Sequence, residues 1–240
     1  MIVLGIESAT ELVGAAVSDG EGGGAEVTVA GRRRHAECLA PAIEQALALS
    51  GRQLREVEVL AVDLGPGLFT GLRVGVATAK GLAQGLGIEV VGVTSLEVLA
   101  AAALDAGWPG EVAAVVDGRR GEVFVARYRR GPGPGGLAEL SPPARARPED
   151  LAELAAPDGQ ATLACGDGAL RYREALAGVA PVVVAGPTLA APSPSVLADL
   201  ALARRSAGCP AVGLEAVVPV YLRDADARIN WTQREATGGG

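Results

Sequence analysis

The stretch VLGIESATELVGAAV, residues 3–17, decides the fold, because its pattern occurs a second time in the chain. It reads as an apolar strand, an acid at Glu7, a polar turn and a second apolar strand. Residues 112–128, VAAVVDGRRGEVFVARY, repeat this order with Asp117 in the place of the acid. Chance similarity is the alternative, since hairpins are common. Two acid-ended hairpins that each lead into later α/β units nevertheless favour a duplicated domain.

Strands and helices are expected to alternate along the rest of the chain in the α/β manner. The hydrophobic periodicity predicts strands at 2–8, 12–17, 25–33, 57–64, 88–93 and 111–117, and helices at 35–50, 70–86 and 95–106. A Pro/Gly-rich loop at 131–136 follows the second hairpin. Further helices and short strands are expected at 148–156, 161–166, 168–177, 182–185 and 195–206.

The composition describes a core of small aliphatic side chains and a surface that is not suited to binding nucleic acid alone. Of 240 residues 49% are hydrophobic, 3% are aromatic and 34 are glycines, so Ala, Val and Leu fill the core and backbones pack closely. The formal net charge is −7, whereas binding to nucleic acid usually needs a basic stripe that neutralises phosphates. If RNA is involved, we therefore expect a partner to hold most of it.

Neither a disulfide framework nor a membrane segment is indicated. The three cysteines lie far apart and form no C-x-x-C motif, which also argues against a zinc knuckle. The N-terminus reads as a buried strand and not as a signal peptide, because it lacks a basic region and meets an acid at Glu7. No apolar stretch approaches the roughly 20 uncharged residues of a membrane span. We expect a cytoplasmic protein.

The segment GPGLFTG, residues 65–71, opens the long helix at 70–86. It is not a Walker loop, because no Lys-Ser/Thr pair follows, and it does not match the dinucleotide fingerprint. Thr70 is the expected N-cap of the helix. Small residues recur in two rows, Gly71, Gly75 and Ala79 in one and Ala77, Gly81 and Gly85 in the other. Each interior glycine costs a helix about 0.8–1 kcal/mol relative to alanine. Close packing must offset this, against either the chain's own sheet or a partner's helix.

Several motifs together resemble the TsaB (YeaZ) family in the right order over most of the chain. They are residues 6–10, the helix that contains His35, GPGLFTGLRVG at 65–75, 94–96, DGRRGEV at 117–123 and PVYLR at 219–223. The 65–75 segment is the most specific of them. Two positions depart from the family pattern. Glu7 stands where Asp is common, and Leu68 stands where Ser is usual.

The resemblance implies a duplicated actin/hsp70-like (ASKHA) fold with two lobes of mixed sheets flanked by helices. It would place an N-terminal lobe at 1–108, completed by 209–234, and a C-terminal lobe at 109–208. Residues 235–240 would be a disordered tail.

The resemblance also implies a scaffold role in making threonylcarbamoyladenosine on tRNA. The partners would be a TsaD-like transferase subunit and a TsaE-like ATPase, with a homodimer when the chain is alone. In the family the shared surface involves the first two helices, which gives a candidate interface here of His35, Leu39, Ile43, Leu47, Phe69, Thr70, Gly71, Arg73, Val74, Gly75, Thr78, Ala79 and Leu82. His35 is interpreted either as an interface residue or as a helix cap.

Comparison with the catalytic relative predicts that this chain is not an enzyme. That relative holds a metal with two histidines one helical turn apart, but Ser95 and Leu99 occupy the equivalent positions here, and His35 is the only histidine. The lack of a G-x-S-x-G motif also argues against a triad protease. We expect no catalytic residue, no metal and no required cofactor.

Nucleotide binding and an independent enzyme activity remain as alternatives. The superfamily cradles phosphates between acid-ended hairpins, so the candidate residues for ATP or ADP at the complex junction are Glu7, Ser8, Thr10 and Asp117. The alternative function is an ASKHA-type enzyme with its own ATPase, kinase or M22-like peptidase activity.

Overall fold

Two five-stranded mixed sheets form the framework of the computed structural model, which describes residues 1–30, 34–178, 181–210 and 213–222. The first sheet has the order β3-β2-β1-β4-β5, and its strands are β1 (Val3–Glu7), β2 (Leu12–Ser18), β3 (Gly24–Ala30), β4 (Val59–Asp63) and β5 (Glu89–Val93). The second has the order β10-β9-β6-β7-β8, built from β6 (Glu111–Arg119), β7 (Glu122–Arg130), β8 (Leu137–Ala146), β9 (Thr162–Cys165) and β10 (Val182–Val184).

The two sheets share one topology. In the first, β1 pairs antiparallel with β2 and parallel with β4, while β3 and β5 extend the two edges. In the second, β6 pairs antiparallel with β7 and parallel with β9, and β8 and β10 take the edges. The predicted duplication is therefore confirmed, and each acid-ended hairpin supplies the central strand of its sheet.

Seven helices cover the sheets in the described part of the chain. They are α1 (His35–Leu49), α2 (Phe69–Leu86), α3 (Ser95–Asp105), α4 (Leu151–Ala155), α5 (Asp167–Arg171), α6 (Arg173–Leu176) and α7 (Pro194–Ser206). Single 3-10 turns lie at 54–56, 134–136, 148–150 and 187–189. None of these helices is long and apolar enough to cross a membrane.

The helices form layers on both faces of each sheet. α1 and α2 cover one face of the first sheet, and α7 with part of α3 covers the other. The opposite side of α3 packs on the second sheet, whose far face is covered by α4, α5 and α6. α7 packs on the first sheet although it lies within 109–208. The lobe bounds at 1–108, 109–208 and 209–234 stay predictions, and 235–240 lies outside the described residues.

The strand β8 was not predicted from the sequence. It contains Pro142 and Pro143, and proline usually argues against a strand because it cannot donate to the ladder. β8 is an edge strand, and its pairing with β7 has register shifts, so the lost donors are tolerated there.

The two rows of small residues on α2 face in opposite directions. A Cβ atom at Gly71 would overlap the carbonyl oxygen of Ser8, and one at Gly75 would overlap the Ser8 hydroxyl. At Gly81 and Gly85 an added Cβ would meet no described atom within 4 Å. The first row therefore packs against the chain's own sheet, and the second row faces outward. The N-cap of α2 is Leu68, so the assignment of Thr70 as N-cap was wrong.

We expect Gly71→Ala and Gly81→Ala to change stability in opposite directions. The first forces α2 away from Ser8 and should lower the free energy of unfolding by about 1–3 kcal/mol, as overpacking does. The second adds a methyl group in open space and should raise it by roughly 0.8–1 kcal/mol through helix propensity. Equilibrium denaturation measures both, and equal effects of the two substitutions would contradict this packing.

Candidate functional site

The polar residues of the first hairpin turn are already engaged within the chain. The Ser8 hydroxyl donates to the carbonyl oxygen of Gly71 at 2.9 Å. Thr10 Oγ1 accepts from the Leu12 backbone N–H at 3.3 Å, and Glu7 Oε1 accepts from the Ala9 N–H at 2.7 Å. The side chains of Glu7, Ser8 and Thr10 are all buried. These three candidate nucleotide-binding residues therefore hold the turn and the start of α2 in place.

A buried acid that was not predicted from the sequence lies beside Glu7. Asp63 ends β4, and the parallel register that pairs Ile6 with Val62 places the two acids at the same edge of the sheet. Asp63 Oδ1 accepts from the Gly65 N–H at 2.6 Å and from the Ser95 hydroxyl at 2.8 Å. The signal for it was present in the sequence, since Asp63 is an acid at the end of a buried strand, as Glu7 is.

Burial of the two carboxyl groups raises the pKa of each above its ordinary value. For Glu7 the rise is large, because the charge of Asp63 and a hydrogen bond to it add to the loss of solvent. For Asp63 burial is again the main cause of the raised pKa, while the bonds from Glu7, Gly65 and Ser95 act in the opposite direction. Both shifts therefore favour a protonated carboxyl group in this pair over two buried charges.

The second hairpin turn is built around Asp117. Its carboxylate accepts from the Arg119 backbone N–H at 2.9 Å and from Arg119 Nη1 at 3.1 Å. Arg171 Nε lies 3.6 Å from the same carboxylate, and the Asp117 N–H donates to Asp167 at 2.8 Å. This fourth candidate nucleotide-binding residue is thus also engaged within the chain.

Arg119 joins the two hairpin turns. Its Nη2 donates to Glu11 Oε1 of the first turn at 3.0 Å, while Nη1 contacts Asp117 of the second. Arg119 and Arg120 both have left-handed backbone angles, with φ of 63° and 55°, which L residues with long side chains rarely adopt. The guanidinium therefore links the turn after β1 to the turn after β6.

Substitution of Arg119 tests this bridge. We expect Arg119→Met to lower the free energy of unfolding by about 1–3 kcal/mol, because the pair with Glu11 is exposed but the buried Asp117 carboxylate loses one of its donors. Amide hydrogen exchange in both hairpin turns should become faster, because each turn loses its tie to the other. Arg119→Lys keeps the positive charge but cannot contact Asp117 and Glu11 with two separate nitrogens. It should therefore speed amide exchange in both turns, as Arg119→Met does. Faster exchange in the second turn alone would show that the bridge to Glu11 has no effect.

His35 makes a buried hydrogen bond within the chain and does not cap α1. Its side chain is buried, and Nε2–H donates to the carbonyl oxygen of Thr10 at 2.7 Å. The N-cap of α1 is Arg34, so the capping interpretation of His35 was wrong. Its ring also lies about 3.1 Å from where a Cβ at Gly71 would be, so it packs between α2 and the first turn.

The candidate interface residues divide into an inward and an outward set. Those buried in the chain's own core are Leu39, Ile43, Leu47, Gly71, Gly75 and Ala79, while Val74, Thr78 and Leu82 are partly buried, and Phe69, Thr70 and Arg73 are exposed. The period-3.6 pattern identified the inward stripe, because the apolar stripe of a surface helix faces its own core. Those six residues pack within the chain itself, and their part in an interface stays a prediction.

The outward surface of the two helices is formed by other residues. We define the helix-pair face as the exposed positions Ala40, Glu44 and Ala48 of α1 and Arg73, Ala77, Gly81 and Gly85 of α2. Apart from Glu44 and Arg73 these side chains are small, so another helix can approach closely.

An aromatic cluster stands at the start of this face. It consists of Phe69, Arg73 and Tyr221, with the Arg73 guanidinium 3.7 Å from the centre of the Phe69 ring and Arg73 Nε donating to the Tyr221 hydroxyl at 3.2 Å. Phe69 is 55% exposed and Tyr221 48% exposed. Tyr221 lies in the PVYLR motif, but no separate role was predicted for it from the sequence.

The described residues contain no group of three or more metal-ligating side chains. Ser95, at the first position where the catalytic relative would have a histidine, is bonded to Asp63, and Leu99, at the second, is buried in the core of the second sheet. The arrangement holds helices and turns in place.

Comparison with known proteins gives one consistent set of relatives. The family model described as "TsaD: tRNA N6-adenosine threonylcarbamoyltransferase" matches residues 23–231. "tRNA threonylcarbamoyladenosine biosynthesis protein TsaB" of Escherichia coli (strain K12) is 35% identical over 130 residues, which is 54% of this chain and 56% of that protein. The chain therefore spans about half the length of this relative.

Two further matches extend over nearly the whole chain. The TsaB protein of Bacillus subtilis (strain 168) is 27% identical over 237 residues, covering 98% of this chain and 100% of that protein. The solved structure "YeaZ from Pseudomonas aeruginosa" superposes with a TM-score of 0.80 at 28% identity, over 92% of this chain and 99% of that one. Together with the two matching sheets, these similarities confirm the ASKHA type of fold.

Proposed function

Since this chain belongs to the family described as TsaD, tRNA N6-adenosine threonylcarbamoyltransferase, and within it to the TsaB (YeaZ) proteins, we propose that it is a non-catalytic subunit in the synthesis of threonylcarbamoyladenosine on tRNA. Its task is to bind and order a TsaD-like catalytic subunit. A TsaE-like ATPase is the further partner, the chain alone forms a homodimer, and tRNA is held mainly by the partners.

The observation that carries this proposal is the helix-pair face. Glycines inside a helix are unfavourable unless close packing offsets them. A Cβ atom added at Gly81 or Gly85 would meet no described atom of another element within 4 Å. A second pair of helices that packs on this face supplies the missing close approach. The same face serves for the homodimer and for the TsaD-like subunit, so the two complexes compete.

The proposal of a non-catalytic role is supported by the hydrogen bonds that the polar side chains make within the chain. Glu7, Ser8, Thr10 and Asp117 all bond within the chain. The single histidine is buried and bonded to a backbone carbonyl oxygen. No nucleophile and base are brought together among these groups. ATP or ADP at the junction with the partner stays a prediction.

Gly81→Leu tests the helix-pair face. The added side chain points outward, so the variant should fold normally while binding of the TsaD-like subunit weakens by roughly tenfold or more, or about 1.4 kcal/mol. Size-exclusion chromatography with light scattering, together with an assay of tRNA modification by the reconstituted complex, measures both. Gly81→Ala is the matched control and should bind nearly as well as the wild type. Gly75→Leu cannot serve, because it collides with Ser8.

Unchanged binding by Gly81→Leu would place the docking surface elsewhere. A wild-type chain that forms no complex and by itself hydrolyses ATP, phosphorylates a small substrate or cleaves a peptide would contradict the whole proposal.

The aromatic cluster is expected to be the energetic centre of the interface. Exposed Tyr and Arg side chains are enriched at positions whose truncation costs about 2 kcal/mol or more. Arg73→Ala should therefore weaken the heteromeric complex by roughly 30-fold. Tyr221→Phe removes only the hydroxyl that accepts from Arg73 and should have a smaller effect in the same direction. Titration calorimetry measures both. Leu49→Ala, an exposed apolar position at the far end of α1, is the control.

A further inference from the structure

The buried acids Glu7 and Asp63 form a feature that the docking function does not use directly. Each side chain is about 1% exposed, and each has one oxygen, Glu7 Oε2 and Asp63 Oδ2, that is buried and lacks a donor from the rest of the described chain. The two carboxyl groups are within hydrogen-bonding reach of each other. Two charged carboxylates in this position would repel each other strongly in the absence of solvent.

We propose that Glu7 and Asp63 share one proton, and that this proton-bridged pair is the clamp that fixes the start of α2. A single proton on Glu7 turns Oε2 into a donor to Asp63 Oδ2, so both unpartnered oxygens are satisfied at once. Asp63 keeps its charge because Gly65 and Ser95 also donate to it. The clamp is thus a neutral acid donating to a carboxylate.

The bonds around the pair show what the clamp holds. On one side Glu7 Oε1 accepts from the N–H of Ala9, and the carbonyl oxygen of Ala9 accepts from the N–H of Leu68, the N-cap of α2, at 2.6 Å. On the other side Asp63 accepts from the N–H of Gly65, whose carbonyl oxygen accepts from Ser95. Both ends of the loop at 65–68 therefore depend on the pair. Under the proposed function, this loop orients the helix-pair face.

The charged and titratable groups nearby do not supply another partner for the pair. On α3, Glu97 acts on Asp63 by its charge, and its own carboxylate is paired with Arg204 of α7. On α1, His35 is bonded to Thr10. α2 presents the glycines at 71 and 75 to this region. Among the described groups none bridges the two carboxyl oxygens, so a proton is the proposed bridge.

The pair makes stability depend on pH with a definite sign. Because the pKa of Glu7 is higher in the folded chain than in the unfolded chain, its contribution to stability is fully present below the ordinary pKa of glutamate. That contribution is lost as the pH rises through the higher folded value. Loss of one proton changes the unfolding equilibrium constant about tenfold per pH unit in this window.

Glu7→Gln is the direct test, because its amide can still donate to Asp63 and accept from Ala9 but cannot ionise. Unfolding equilibria are measured from about pH 4 to pH 9 for the wild type, for Glu7→Gln and for Glu21→Gln, which removes an exposed carboxylate from the β2–β3 turn. Above the ordinary pKa of glutamate, the wild type and Glu21→Gln should lose stability relative to Glu7→Gln by about tenfold in the equilibrium constant per pH unit. Parallel curves for all three proteins would overturn the shared proton.

Two further measurements distinguish a shared proton from a bound cation. The wild type at neutral pH should show the infrared C=O band of a protonated buried carboxyl group, and Glu7→Gln should lack it. The protection factor of the Leu68 amide, which corrects for base-catalysed intrinsic exchange, should fall in alkaline solution in the wild type but not in Glu7→Gln. Stabilisation of the wild type but not of Glu7→Gln by Mg²⁺ or Ca²⁺ would instead identify the pair as a cation site and overturn the proposal.

The test is made on the chain alone, so it is independent of docking. If the wild type loses stability with rising pH as expected but fails to bind the TsaD-like subunit, the shared proton is supported and the proposed function is contradicted. If the stability of the wild type relative to Glu7→Gln does not change with pH but the subunit binds, the shared proton is contradicted and the proposed function is supported.

Discussion

The close approach of α2 to the end of β1 is the contact on which the rest of the structure depends. The Ser8 hydroxyl donates to the carbonyl oxygen of Gly71, and no side chain larger than hydrogen fits at residues 71 and 75. This contact sets the distance and the rotation of α2 over the first sheet. Once the rotation is set, Gly71, Gly75 and Ala79 are buried, and Ala77, Gly81 and Gly85 must face outward. One intramolecular contact thus decides which surface is left for another protein.

The two duplicated halves differ in what surrounds the acid at the hairpin turn. In each sheet the central strand carries an acid at a hairpin turn, but the acids have different partners. Glu7 lies beside a second carboxyl group, Asp63, and the pair avoids two buried charges by holding a proton. Asp117 lies beside two guanidinium groups instead, those of Arg119 and Arg171. Arg119 then reaches back to Glu11, so the two copies of one hairpin are joined by a contact that neither contains alone.

The parts of the fold that depend on neighbouring residues in the sequence were predictable, and the parts that depend on distant residues were not. The hairpins at 3–17 and 112–128, the helices at 35–50 and 70–86 and the duplication follow from strand and helix periodicity. The edge strand β8 was missed because its prolines oppose strand formation locally and only its edge position makes them acceptable. The outward row of small residues was visible as a spacing, but its direction was not.

The sequence by itself determined the class of fold, the family and the lack of paired histidines, because these depend on residue types and their order. Tertiary structure decided which residues are available. It buried Leu39, Ile43 and Leu47 in the core, turned His35 inward, engaged the four candidate nucleotide-binding residues with neighbours and brought Asp63 to Glu7. The physical reason is that hydrogen bonding and burial of a side chain depend on residues distant in sequence, here 56 positions apart for the acid pair, counting from 7 to 63.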